Sequence, residues 1–137
     1  MNVDFIYKDT ESGLIDKKEY NRLIEVIIDR EGYRKGRISI IFTSDITLKK
    51  LNKKFLEKDY LTDIMVFGSS FKNTISGEVY ISIDRIKENS IKYSEGRFNS
   101  ELKRVVIHGI LHLIGYDDKN VEDKENMTNK EEQYLKL

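Results

Sequence analysis

The sequence contains no cysteine, no proline and only two histidines. Without cysteine there are neither disulfides nor thiolate metal ligands. The absence of proline carries no functional reading, since a biased, AT-rich coding sequence accounts for it as well as selection does. No apolar run approaches the roughly 20 residues that span a bilayer. The opening MNVDFIYKDT lacks the basic n-region of a secretory signal and reads as mature protein. These absences favour the cytoplasm and no membrane. An excess of charge is missing too: 24 basic and 24 acidic residues sum to +0. Nothing global therefore advertises nucleic acid, and any cationic surface must be local.

What is present is one globular domain over 1–137, long enough for a single core, with a heavily charged surface. VDFIY (3–7), RISIIFTS (37–44), TDIMVFGS (62–69) and GEVYISI (77–83) read as strands. In 16–30, Tyr20, Leu23, Ile24, Ile27 and Ile28 fall on one face of an amphipathic helix. Asp45 is the expected cap of a helix over 45–57, with Leu48, Leu51 and Phe55 as its apolar stripe. Residues 84–95 read as helical. Asn99 or Ser100 is the expected cap of the next helix, which runs to Ile114 and is apolar almost all round from Val105. A charged helix over 121–135 follows. Four strands interleaved with about five helices imply an α+β fold with α/β-type layers.

Both histidines fall in HGILHLIGYDD, residues 108–118. Positions 108 and 112 lie one turn apart on the same helical face, where two imidazoles can share a metal ion. Histidines in an otherwise apolar helix also need partners. Gly115 is a natural helix stop, so the chain can reverse and return a carboxylate to the pair. Asp118 completes H-x-x-x-H-x-x-G-x-x-D, with the spacing of long zincin motifs and three protein ligands, as catalytic zinc requires. Asp117 and Glu122 are nearby competitors for that third place. Zinc peptidases carry a glutamate general base after the first histidine. Here that position is Gly109, which weighs against a peptidase.

These residues resemble the signature of the YbeY family of bacterial metal-dependent endoribonucleases, H-G-x-L-H-L-x-G-Y-D-H. LNKKFLEKDYLTDIMVF (51–67) is similar to the family segment L-N-x-x-Y-R-x-K-D-x-x-T-D-V-L-S-F, and SGEVYISIDRI (76–86) to its G-D-I-x-I-S strand. The resemblance covers roughly 37–120. It implies a four-stranded mixed sheet and a zinc site on the helix over 100–114. It further implies cleavage of single-stranded RNA in the maturation of small-subunit ribosomal RNA and ribosome quality control, with the small subunit as partner. His108, His112 and Asp118 would act as metal ligands, and as catalytic residues through one bound ion. There are departures. Asp118 stands where the family has histidine, which adds negative charge and opens the site to divalent metals harder than zinc. Leu56 stands in place of the family arginine, Val66 in place of the serine, Gly68 in place of the following proline, and Glu78 in place of the aspartate of G-D-I.

Lys49, Lys50, Lys53, Lys54 and Lys58 form a local cationic run that could meet RNA phosphates, although such runs are usually solvated helix faces. Thr62 and Asp63 match the T-D of the family segment, where positioning a strand end is as good a role as catalysis. Tyr116 and Phe67 could stack on a base, but core packing is the commoner use of such rings. Glu122, Asp123, Glu125, Glu131 and Glu132 should turn RNA away from the last helix. The rival to a nuclease is a ribosome-associated RNA-binding protein with a structural metal and little or no activity.

Overall fold

The computed structural model describes residues 2–56, 62–93 and 95–137. The element order is β1 (Asp4–Tyr7), α1 (Lys17–Arg30), β2 (Arg34–Thr43), α2 (Asp45–Leu56), β3 (Ile64–Gly68), β4 (Thr74–Ser82), α3 (Ile83–Tyr93), α4 (Phe98–Ile114) and α5 (Val121–Leu135). The strands form one sheet in the order β1-β2-β4-β3. β1 and β4 both run parallel to β2, and β3 pairs antiparallel with β4, Ile64 opposite Ile81 and Gly68 opposite Gly77. The fold is therefore α+β with a mixed four-stranded sheet, and β3 is an edge.

Local chemistry explains most element boundaries. The Asp16 carboxylate accepts hydrogen bonds from the amides of Lys18 and Glu19, so it caps α1 rather than belonging to it. The five apolar residues read on that helix are its buried face. Two capping expectations are corrected. The Ser44 hydroxyl, not Asp45, accepts the Thr47 amide at the start of α2. Asp45 instead accepts from the Ser82 hydroxyl and the Arg85 guanidinium, joining α2 to α3. α4 begins at Phe98 with Arg97 at its cap position and no side-chain capping bond, so neither Asn99 nor Ser100 caps it. β2 starts at Arg34 and β4 at Thr74, each three residues earlier than the alternation indicated, because each gains its partner in the other.

The core lies between α1 and α4 and one face of the sheet, where Ile38, Ile40 and Phe42 of β2 and Ile75, Val79 and Ile81 of β4 point. Each such side chain, fully buried, contributes about 1.5–3 kcal/mol. Met127 and Tyr134 of α5 close this core. α2 lies against the opposite face, which carries Met65, Phe67 and Tyr80. Phe55 is a correction to the expected apolar stripe of α2: it is 54% exposed, whereas Leu48 is fully buried.

α4 passes unusually close to the sheet. A Cβ at Gly109 would stand 2.7 Å from Val79 Cγ1 and 2.9 Å from Ile64 Cδ1, inside the closest approach that carbon atoms tolerate. Gly109 therefore sets how near the histidine helix lies to β3 and β4.

Candidate metal centre

His108 and His112 project from the face of α4 beside the sheet, one turn apart. Gly115 terminates the helix with φ of +123°, and its amide donates to the carbonyls of Leu111 and His112. The chain then reverses and delivers Asp118 to the two rings. Asp118 Oδ2 lies 3.5 Å from His108 Nε2 and 3.7 Å from His112 Nε2, and the two Nε2 atoms are 2.9 Å apart. Three donors on a tetrahedral ion with bonds of about 2.0–2.2 Å lie about 3.3–3.6 Å from one another. Among the described residues, this is the one group of three such side chains that could hold a metal ion. Asp117 is directed elsewhere: its carboxylate accepts the Asp118 amide and faces Lys119. Glu122 is exposed in the first turn of α5.

The partners of the rings test whether a cation fits. His108 Nδ1 is 2.6 Å from Glu131 Oε2, and His112 Nδ1 is 3.0 Å from the carbonyl oxygen of Tyr116. A carboxylate and a carbonyl only accept, so both Nδ1 atoms carry hydrogen. In the neutral rings both Nε2 atoms are then bare lone pairs, facing each other with a carboxylate oxygen beside them. That arrangement repels unless a cation or a proton lies among the three. The donor set therefore fits a divalent ion, with the far side of each ring held as metal-ligating histidines usually are. The His108 imidazole gives the same sign. Burial alone would lower its pKa, but the Glu131 carboxylate, with Asp118 and Asp63, outweighs burial and raises it above the ordinary histidine value. A field that favours a proton on the ring also favours a cation.

Two residues that matter here were not singled out in the sequence. Glu131 is among the acids of the last helix expected to turn RNA away; it is buried, and it accepts from Arg104 Nη1 at 3.1 Å as well as from His108. Its signal was its position in the stripe Met127, Glu131, Tyr134, the buried face of α5. Glu31, at the end of α1, accepts hydrogen bonds from the hydroxyls of Tyr116 and Tyr134 and from Lys130 Nζ. Burial raises its pKa, but these three donors together hold it below the usual carboxylate value. Because the Tyr116 carbonyl orients His112, Glu31 is a positioning residue at one remove. No local pattern marked it. Tyr116 is thereby engaged within the protein rather than free to stack on a base.

Glu131→Gln is expected to weaken zinc binding by about 10- to 100-fold, because an uncharged amide is a weaker acceptor for His108 Nδ1–H and no longer offsets the charge of the ion. Competition against a chromophoric chelator measures this. An affinity within twofold of the parent chain would show that Glu131 serves packing alone.

His112 also lines a cavity of about 510 Å³ with Asn52, Thr62, Leu113 and the residues of β3. Lys49, Lys50, Lys53 and Lys54 are exposed on α2, whose buried Asn52 reaches this cavity. Lys58 lies outside the described residues, as does Asp59. The lysines and the three metal-site side chains are thus separate groups on either side of the β3 edge. Among the described residues, no helix is long and apolar enough to cross a membrane.

Fold and site together define an α+β protein with a candidate metal centre that opens on a cavity. The family model described as Endoribonuclease YbeY matches residues 5–137, and the chain belongs to that family. The Endoribonuclease YbeY of Karelsulcia muelleri (strain GWSS) is 39% identical over 129 residues, covering 94% of this chain and 91% of the relative. That of Cytophaga hutchinsonii is 40% identical over 134 residues, covering 97% and 93%. Among solved structures, a protein from Thermotoga maritima determined in solution superposes with a TM-score of 0.70 at 29% identity, covering 98% of this chain and 87% of that one.

Proposed function

We propose that this chain is a metal-dependent endoribonuclease that cuts single-stranded RNA in the processing of small-subunit ribosomal RNA. The observation that carries the reading is the paired Nε2 atoms of His108 and His112 with Asp118 Oδ2, with His112 lining a cavity. Family membership supplies the class of substrate. In this reading His108, His112 and Asp118 hold one ion, zinc in the first instance. The Asp118 carboxylate also makes a harder divalent metal workable. A bound ion supplies Lewis acidity toward a phosphodiester and lowers the pKa of water.

The chain's own groups do the rest. Glu131 and the Tyr116 carbonyl keep both Nδ1 atoms protonated and both rings aimed inward. The lysines of α2, with Lys58 beyond it, neutralise phosphates and hold the strand against the cavity. The small ribosomal subunit is the expected partner and the cytoplasm the expected compartment. One domain over 1–137 carries the whole activity.

The test is a denaturing gel with an end-labelled single-stranded RNA. Cleavage should be lost with chelator and restored by added Zn²⁺. End-group analysis then separates attack by water, which leaves a phosphomonoester, from attack by the RNA's own 2′-hydroxyl, which leaves a 2′,3′-cyclic phosphate. No cleavage with zinc, manganese or magnesium would move the reading to an RNA-binding protein with a structural ion. Leu56, in place of the family arginine, and Asp118, in place of the family histidine, are the departures that favour that outcome.

A further inference from the structure

Three aromatic rings run across the sheet face that α2 only partly covers. Phe55 of α2 packs edge-to-face on Phe67 of β3 at 5.6 Å between centroids, and Phe67 on Tyr80 of β4 at 5.7 Å. None of the three belongs to the hydrophobic core, which lies on the other side of the sheet. Phe55 is 54% exposed, and the Lys54 ammonium sits 5.2 Å from its ring centroid. Phe67 lines the same cavity as His112. The middle ring of the run therefore shares a cavity with His112, and the run reaches Phe55 beside the exposed lysines of α2.

Aromatic surface left outside the core, next to cations and continuous with a catalytic cavity, is what a single-stranded nucleic acid requires. Every base has a π-face, and every phosphate needs a positive neighbour. We propose that Phe55, Phe67 and Tyr80 form a base-stacking subsite for single-stranded RNA adjoining the metal centre, an inference that rests on the endoribonuclease reading. Charge sets the direction of the strand. Glu78 accepts the Tyr80 hydroxyl at 3.0 Å and discourages phosphates along β4, whereas Lys50, Lys53 and Lys54 favour a path over α2. Such a subsite reads the absence of pairing rather than base identity, because bases inside a duplex present no free face.

The test is fluorescence anisotropy of a labelled ten-nucleotide single-stranded RNA, with the full chain in chelator so that nothing is cut. Phe55→Leu keeps apolar bulk but removes the π-face, and should weaken binding about tenfold. Phe55→Tyr should bind within about twofold of the parent chain, and RNA duplex should be bound alike by all three. Phe55 is more exposed than buried, so unchanged melting temperatures are expected and will show that the fold is intact. If Phe55→Leu binds the single strand as tightly as the parent chain, which itself binds and cuts RNA, the stacking subsite is refuted and the nuclease reading stands. If the parent chain binds no single-stranded RNA in chelator, the stacking subsite is refuted, and the nuclease reading falls with it only if zinc, manganese and magnesium also fail to restore cleavage.

Discussion

His112→Ala is expected to abolish chelator-sensitive cleavage of single-stranded RNA, a loss of more than about 100-fold. Altering a side chain that merely orients a metal ligand costs about 10- to 100-fold, and removing a ligand outright costs more. The variant leaves His108 Nε2 and Asp118 Oδ2 as two donors only, too few for a catalytic zinc site. A second readout separates loss of metal from loss of fold. A ligand present at about 1,000 times its dissociation constant stabilises the native state by about 4 kcal/mol. The parent chain should therefore melt higher with zinc, and the variant should not. Without metal the variant gains as well as loses. It strands the Tyr116 carbonyl, but it removes the repulsion between two bare nitrogens 2.9 Å apart. Equal cleavage by parent and variant, purified identically, would mark a contaminating nuclease, and an equal rise in melting temperature with zinc in both would refute His112 as a metal ligand.

Gly109→Glu should cost more than about 4 kcal/mol of stability, the range reached by severe core substitutions. A zinc peptidase carries glutamate at this position, so the variant also asks whether such chemistry could be installed here. It could not, because α4 lies too near the sheet. The first side-chain atom already meets Val79 Cγ1 at 2.7 Å, and Val79 is fully buried and branched at Cβ, so it has little freedom to turn away. The carboxylate would then be buried against β3 and β4 without a partner. Gly109→Ala is the milder control. Overpacking costs about 1–3 kcal/mol, offset in part by about 1 kcal/mol of helix propensity over glycine. Urea unfolding measures both. A Gly109→Glu chain as stable as the parent would mean that α4 can lift from the sheet at little cost. The missing general base is thus explained by packing as well as by chemistry.

How much could be read without the structure depends on the range of the interaction concerned. The helix-to-glycine sequence around His108 and His112 was legible because spacing along one helix places side chains directly, and because Gly115 alone tolerates its φ of +123° there without strain. The buried face of α1 followed from the same periodicity. Local signals misjudged the places where a distant partner decides. Asp45 looked like a cap until Arg85 and Ser82 claimed its carboxylate. Phe55 looked like core until the helix proved to cover only part of its sheet face.

By itself the sequence determined a cysteine-free α+β chain, a buried helix carrying every imidazole the protein has, and a turn that can return a carboxylate. Only the tertiary structure decided that this carboxylate is Asp118 rather than Asp117, since the path of the reversal depends on how α5 docks against α4. Only it paired His108 with Glu131, 23 residues away, and tied Glu31 to Tyr116 across 85. The physical reason is that a neighbour three or four residues away is set by the pitch of one helix. A neighbour on another element is set by the packing of whole surfaces, which no short stretch of sequence encodes.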